Sequence, residues 1–336
     1  MGMCLQRIGL LRCPVARFRR QRAARSSPGL PASHKKVRRH GVRNLGLRLI
    51  VWFVGVPTLI VVIFFLPFQN HLAFNVMVIV VSALAARELA GMFQKKDAGY
   101  RASGFVIPLI GAALPSVQVL ILNGIFPDDA LIIAIYAVAG VALLCQVARK
   151  DLADFRHSLT NTAANITVLI YPGLFLSYLV RISELPQASL VIITFLLVVF
   201  ANDTLAYVVG GLYRIIRIRL AARQGKEWTQ GVAFPVSPNK TIPGFIGGAL
   251  AAPLTLWLAA LVFPGAISGS VGRIILVGTV VGVATIMGDL IESALKRSAT
   301  SKDSGSLIPG RGGILDSVDS ILYAAPIFYY LFRYLL

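Results

Sequence analysis

Leu190–Gly211 reads LVIITFLLVVFANDTLAYVVGG. A run of this length without Lys, Arg, Glu or Pro is long enough to cross about 30 Å of hydrocarbon as a helix. Inside it sit Asn202, Asp203 and Thr204, and an ionised group at that depth costs several kcal/mol unless it faces a partner or water. The stretch therefore reads as a membrane helix with an inward-facing polar face.

Comparable apolar runs flank it at Leu49–Phe68, Leu72–Phe93, Phe105–Phe126, Leu131–Val147, Ala163–Val180, Phe245–Phe263, Ile274–Leu290 and Ile321–Leu335. With 56% hydrophobic and 14% charged residues, the chain is too apolar for a water-soluble domain of this length. Continuous runs lack the period-two alternation of an outer-membrane barrel, so the expected fold is all-α, a polytopic membrane helical bundle of about nine transmembrane helices.

Loop charge gives the orientation. Residues 1–48 carry thirteen Lys or Arg and no acid, and further basic residues fall at Lys95, Lys96, Arg101, Arg149, Lys150 and Arg156, between Arg214 and Lys240, and between Lys296 and Arg311. These loops alternate with short ones of little positive charge. The positive-inside rule places the amino terminus and the basic loops in the cytoplasm and the carboxyl terminus outside. The formal net charge of +19 suits anionic lipid heads, and no nucleic-acid partner is expected. Segment 1–48 reads as a basic, disordered arm, with a composition that also resembles an organellar transit peptide. Cys4, Cys13 and Cys145 form neither a disulfide framework nor a metal pattern.

Polar residues crowd into the last part of the chain. Gly288–Asp319 reads GDLIESALKRSATSKDSGSLIPGRGGILDSVD. Asp289, Glu292, Ser293 and Lys296 follow the i, i+3, i+4, i+7 rule for one helix face, and Asp316 and Asp319 lie one turn apart beyond a loop. That loop holds Lys302, Asp303 and Arg311, with Gly312 and Gly313 expected to offer backbone amides to an anion. Upstream, SPNKTIPG supplies Ser237, Lys240 and Thr241 and matches neither the Walker nor the dinucleotide-binding pattern. Taken singly, Glu292 with Lys296 reads equally as an i, i+4 ion pair, and the glycines as a turn. Together, carboxylates facing cations and a glycine turn suit a magnesium-bound polyphosphate.

These residues resemble the integral-membrane phosphatidate cytidylyltransferases, or CDP-diacylglycerol synthases. The family's carboxyl-terminal signature falls in register on Ser293, Leu295, Lys296-Arg297, Lys302-Asp303, Arg311-Gly312-Gly313, Ile314, Asp316-Ser317 and Val318-Asp319. Its intramembrane Asn-Asp-Thr and aromatic match Asn202, Asp203, Thr204 and Tyr207, and its Ser-Pro-x-Lys-Thr loop matches Ser237, Pro238, Lys240 and Thr241. Arg311 stands where the family has His, and Ser317 where it has Arg. Arg cannot transfer a proton near neutral pH, but it binds phosphate as a bidentate fork.

The resemblance covers Leu190 to the end. Residues 49–187 agree with the family only in their hydrophobic layout and read by hydropathy as amino-terminal transmembrane helices; the resemblance implies 188–336 as a transmembrane catalytic region of a nucleotidyltransferase in phospholipid biosynthesis. It further implies CTP and phosphatidic acid as substrates in the bilayer, CDP-diacylglycerol and pyrophosphate as products, and Mg2+ as cofactor. By the same resemblance Asp289 and Asp316 bind metal, with Asp319 a third carboxylate; Lys296, Lys302, Arg297 and Arg311 hold phosphates. Asn202, Asp203, Ser237, Lys240, Thr241, Asp303, Gly312 and Gly313 complete the nucleotide site. The protein is expected in a cell inner membrane with its site cytoplasmic. Relatives suggest a homodimer, which no residue here encodes legibly. Two alternatives remain open: a multi-span transporter or channel, and a divergent paralogue acting on another lipid phosphate.

Overall fold

The computed structural model describes residues 53–97, 99–100, 103–147, 155–229, 234–308 and 312–336. The basic arm 1–48 lies outside them. Nine helices are found among the described residues: α1 Phe53–Phe64, α2 Phe68–Lys96, α3 Val106–Leu122, α4 Ala130–Val147, α5 Ser158–Ile182, α6 Ala188–Arg223, α7 Ile242–Val262, α8 Val271–Ser298 and α9 Leu315–Leu335. No strand occurs there; the single β-bridge joins Ile308 and Gly312. Six of the helices (α2, α4, α5, α6, α7 and α8) are long and apolar enough to cross a membrane. The protein is an all-α polytopic membrane bundle.

The last helix does not meet the same apolar standard, and its burial explains why. Asp316, Asp319, Arg333 and several tyrosines dilute its hydropathy, yet Leu322, Phe328 and Tyr329 are almost wholly buried. A helix wrapped by protein does not have to match lipid all round. Helix α9 packs chiefly on α8 and the second half of α5, and α7 packs on α6 and α8.

Small residues set these distances, as expected where apolar side chains gain nothing by leaving lipid. A Cβ on Gly278 of α8 would collide with the backbone of Pro253 in α7, lying 2.9 Å from its nitrogen. One on Gly288 would lie 2.5 Å from the Asp319 carbonyl oxygen, so α8 and α9 touch backbone to backbone beside the acidic residues.

Three departures from the hydropathy reading have local causes. Helix α2 opens with a left-handed turn at Gln69, Asn70 and His71 (φ 46°, 54° and 59°). Side chains pin that turn: Asn70 Nδ2 donates to Leu122 O (3.2 Å) and Asn75 Nδ2 to Asn70 O (2.8 Å). Helix α5 widens to a π turn at Leu169–Leu174 around Pro172, whose carbonyl accepts from Ser82 Oγ at 3.0 Å. Helix α6 continues beyond Gly211 to Arg223. Part of the expected basic loop is therefore helical, because Leu, Ile, Ala and Arg all favour helix and no breaker intervenes before Gly225. Its 36 residues span about 54 Å at 1.5 Å per residue, well beyond the hydrocarbon.

Candidate active site

A cavity of about 1040 Å3 opens among α6, the start of α7, α8, the loop after it and α9. Four chain segments supply its polar lining: Asn202 and Asp203; Lys240 and Thr241; Asp289 and Lys296; and Asp303, Asp316 and Asp319. Three helices, α6, α8 and α9, bring carboxylates to one region.

The helical stripe forms as read. Helix α8 runs through to Ser298, which stacks Asp289, Glu292, Ser293 and Lys296 on one face. Lys296 Nζ lies between two acids, paired with the fully buried Glu292 one turn earlier and 2.8 Å from Asp316 Oδ1. Across the cavity, Lys240 Nζ pairs with Asp289 Oδ2, and Ser293 Oγ lies 3.4 Å from Asp289 Oδ1. Asp203 lies within electrostatic reach of Asp289 and Lys240, and Asp319 within reach of Asp203, Asp289 and Lys296.

Lys240 is delivered by a turn closed by its own backbone N–H on Ser237 O at 3.1 Å. Thr241 then caps α7, its Oγ1 accepting from Gly244 N at 3.2 Å. Such a cap contributes about 1 kcal/mol. Ser237 holds this turn through its carbonyl and does not line the cavity. Asn202 is buried with its Oδ1 unpaired, in α6 against Gly248.

Other expected site residues stand elsewhere. Lys302 is exposed on the loop, and Arg297 Nε points to Val236 O (3.4 Å), tying α8 to the Ser237 turn; neither lines the cavity. Arg311 lies outside the described residues. The amides of Gly312 and Gly313 are not open to an anion as expected. Gly312 N donates to Ile308 O (3.1 Å) and Gly313 N to Asp316 Oδ2 (2.7 Å). The glycines are needed for shape instead: Gly312 has φ +117°, and a Cβ on Gly313 would overlap Ser304 and Glu88.

Glu88 is the partner that sequence reasoning missed. From α2 its Oε1 accepts from Ile314 N (3.0 Å), and its Oε2 accepts from Leu315 N (2.9 Å) and lies 3.0 Å from Ser304 Oγ. Ser304 N and Oγ each lie 2.9 Å from Asp316 Oδ2. Glu88 is the only acid between Phe68 and Lys96, and an acid embedded in such a run is the signal that could have exposed it.

Among the described residues, no three His, Cys, Asp or Glu side chains close on a common point. Asp289 and Asp316 are each held by a lysine, and Asp319 Oδ1 accepts from Ser320 N (2.7 Å). The chemistry of the lining nevertheless suits a hard cation. Five acids (Asp203, Asp289, Asp303, Asp316, Asp319) face three bases (Arg214, Lys240, Lys296), a formal surplus of two negative charges, and the unpaired Asn202 oxygen is a further hard donor.

The sequence model of the cytidylyltransferase family matches residues 46–335. The chain belongs to the cytidylyltransferase family. Within it, the chain is similar to the phosphatidate cytidylyltransferase of Bacillus subtilis (36% identity over 163 residues, 48% of this chain and 55% of that one). It is also similar to that of Staphylococcus epidermidis (28% over 276 residues, 80% and 94%). An uncharacterised Escherichia coli protein, YnbB, is 39% identical over 100 residues, 30% of this chain and 32% of its own. The chain thus spans about a third of YnbB and just over half of the Bacillus protein. The family match itself takes in α1–α9, so the chain carries the family pattern in its first helices as well as its last.

Proposed function

We propose that this chain transfers the cytidylyl group of CTP to phosphatidic acid, giving CDP-diacylglycerol and pyrophosphate at the cytoplasmic face of a cell inner membrane. One observation carries the reading: a cavity of nucleotide size in which acids outnumber bases five to three. A polyphosphate cannot enter a cavity of its own sign without cations to offset it. Family membership and the names of the relatives above supply the nucleotide and the lipid.

In this reading a phosphate oxygen of phosphatidic acid attacks the α-phosphorus of CTP as the bond to the β-phosphate oxygen breaks. The nucleophile is already an anion, so the reaction needs no strong base; its barrier lies in approach and in charge on the leaving pyrophosphate. Asp289 and Asp316 would hold Mg2+, with Asp319 beside them. When bound, the metal neutralises phosphate charge. Lys240 and Lys296 keep their carboxylates oriented, and each is placed to turn its ammonium to a phosphate oxygen as its acid is engaged. Asn202 and Thr241 line the nucleotide end of the cavity. Arg217, Arg219 and Arg223, on the exposed end of α6, suit the headgroup level where the acidic lipid presents its phosphate.

The test is pyrophosphate release by purified protein supplied with Mg2+, CTP and phosphatidic acid. Solute transport in proteoliposomes without nucleotide turnover would overturn the proposal.

A further inference from the structure

We propose that Glu88 of α2 is a positioning residue for nucleotidyl transfer, acting on Asp316 through Ser304 and the first amides of α9. The inference rests on the functional reading above.

Glu88 is 8% exposed, and none of the ion pairs among the described residues involves it. Donors at the amino-terminal end of a helix hold the carboxylate instead, where unpaired amides and the helix dipole favour negative charge. Its donors are Ile314 N, Leu315 N and Ser304 Oγ. The loop is shaped to admit it: a Cβ at either Gly305 or Gly313 would overlap the Glu88 carboxylate. A second tie from the same helix, Lys95 Nζ to Ser301 Oγ (3.3 Å), holds the loop's near end.

The connection to chemistry is Ser304. Its single hydroxyl lies 3.0 Å from Glu88 Oε2 and 2.9 Å from Asp316 Oδ2, so its one proton is shared between the two carboxylates in turn, while its backbone N–H and that of Gly313 donate to Asp316 Oδ2. Glu88 therefore holds Ser304, which contacts Asp316, and the Ile314 and Leu315 amides that join Gly313 to Asp316. An ångström of slack at a reacting group costs about a hundredfold in rate, so the effect belongs in kcat.

The test compares wild type with Glu88→Gln, Glu88→Ala, Ser304→Ala and the Glu88→Ala/Ser304→Ala pair, full length in detergent with Mg2+, CTP and phosphatidic acid. The kcat of Glu88→Ala should fall by at least about tenfold while KM for CTP stays within about threefold. Glu88→Gln, which keeps one acceptor oxygen and the shape, should fall less. The double variant should lose less than the product of the two single losses, because Glu88 acts in part through Ser304. An unchanged kcat in both Glu88 variants, or losses that multiply, would overturn the proposal. Amide hydrogen exchange at Ile314 and Leu315 is read in parallel without substrate, and should quicken by at least about tenfold in Glu88→Ala. Wild type that makes no CDP-diacylglycerol sinks the functional reading alone, whereas unchanged exchange at those amides sinks the role of Glu88.

Discussion

Lys296 on α8 and Asp316 on α9 meet at 2.8 Å, and the same ammonium is paired with Glu292. One cation thus joins the only two elements that flank the signature loop. The pair bridges the two ends of the loop and lies in the lining of the cavity.

Asp316→Asn keeps the size of the side chain and removes its charge. Pyrophosphate release should drop at least about a hundredfold, or about 2.7 kcal/mol of transition-state stabilisation. Assay with radiolabelled CTP checks it; near-wild-type release would exclude Asp316 from the reaction.

Lys240, in the turn before α7, and Asp289, on α8, form an ion pair that can be tested as a pair. Lys240→Met and Asp289→Asn should each cost about tenfold or more in kcat/KM, and the two losses should not simply add. A double-mutant cycle reads the coupling. Were the pair only structural, the double variant would regain activity over either single.

Gly288 touches the backbone of α9 at Asp319. Gly288→Ala should separate α8 from α9 at a cost of about 1–3 kcal/mol, seen as a lower melting temperature in detergent together with lost activity. Gly140 in α4 faces open space, so Gly140→Ala should leave both unchanged.

Acid should loosen the turn after α2. Asp97 accepts from Gly99 N (2.9 Å) and lies 3.1 Å from His157 Nδ1, and these contacts, the Gly99 amide foremost, hold its carboxyl below the ordinary 3.8. A carboxylate depressed on folding stabilises above its unfolded value and ceases to as pH falls through its folded one. Wild type and Asp97→Asn should therefore differ in melting temperature at pH 6 and converge well below pH 3.8.

How far the sequence could be read follows from the range of each interaction. The spans and the stripe from Asp289 to Lys296 depend on periods of a few residues, which hydropathy and spacing display directly. The convergence of Asp203, Asp289, Asp316 and Asp319 was legible because the order of spans and loops puts all four toward the same side of the membrane. What stayed hidden is long-range or backbone-borne. Glu88 lies 226 residues from the amide it accepts, Lys240 and Asp289 belong to no common motif spacing, and the Gly313 N–H is taken by a side chain three positions on. The extension of α6 was masked by its arginines, which signal a loop to a topology rule yet suit a helix.

Because an acid from α2 seats the amino-terminal end of α9, the site cannot be transplanted as its last five helices alone. A chimera that exchanged the first helices for those of a distant homologue would inherit a working loop only if the donor also brought a carboxylate to that depth, with glycines opposite to receive it.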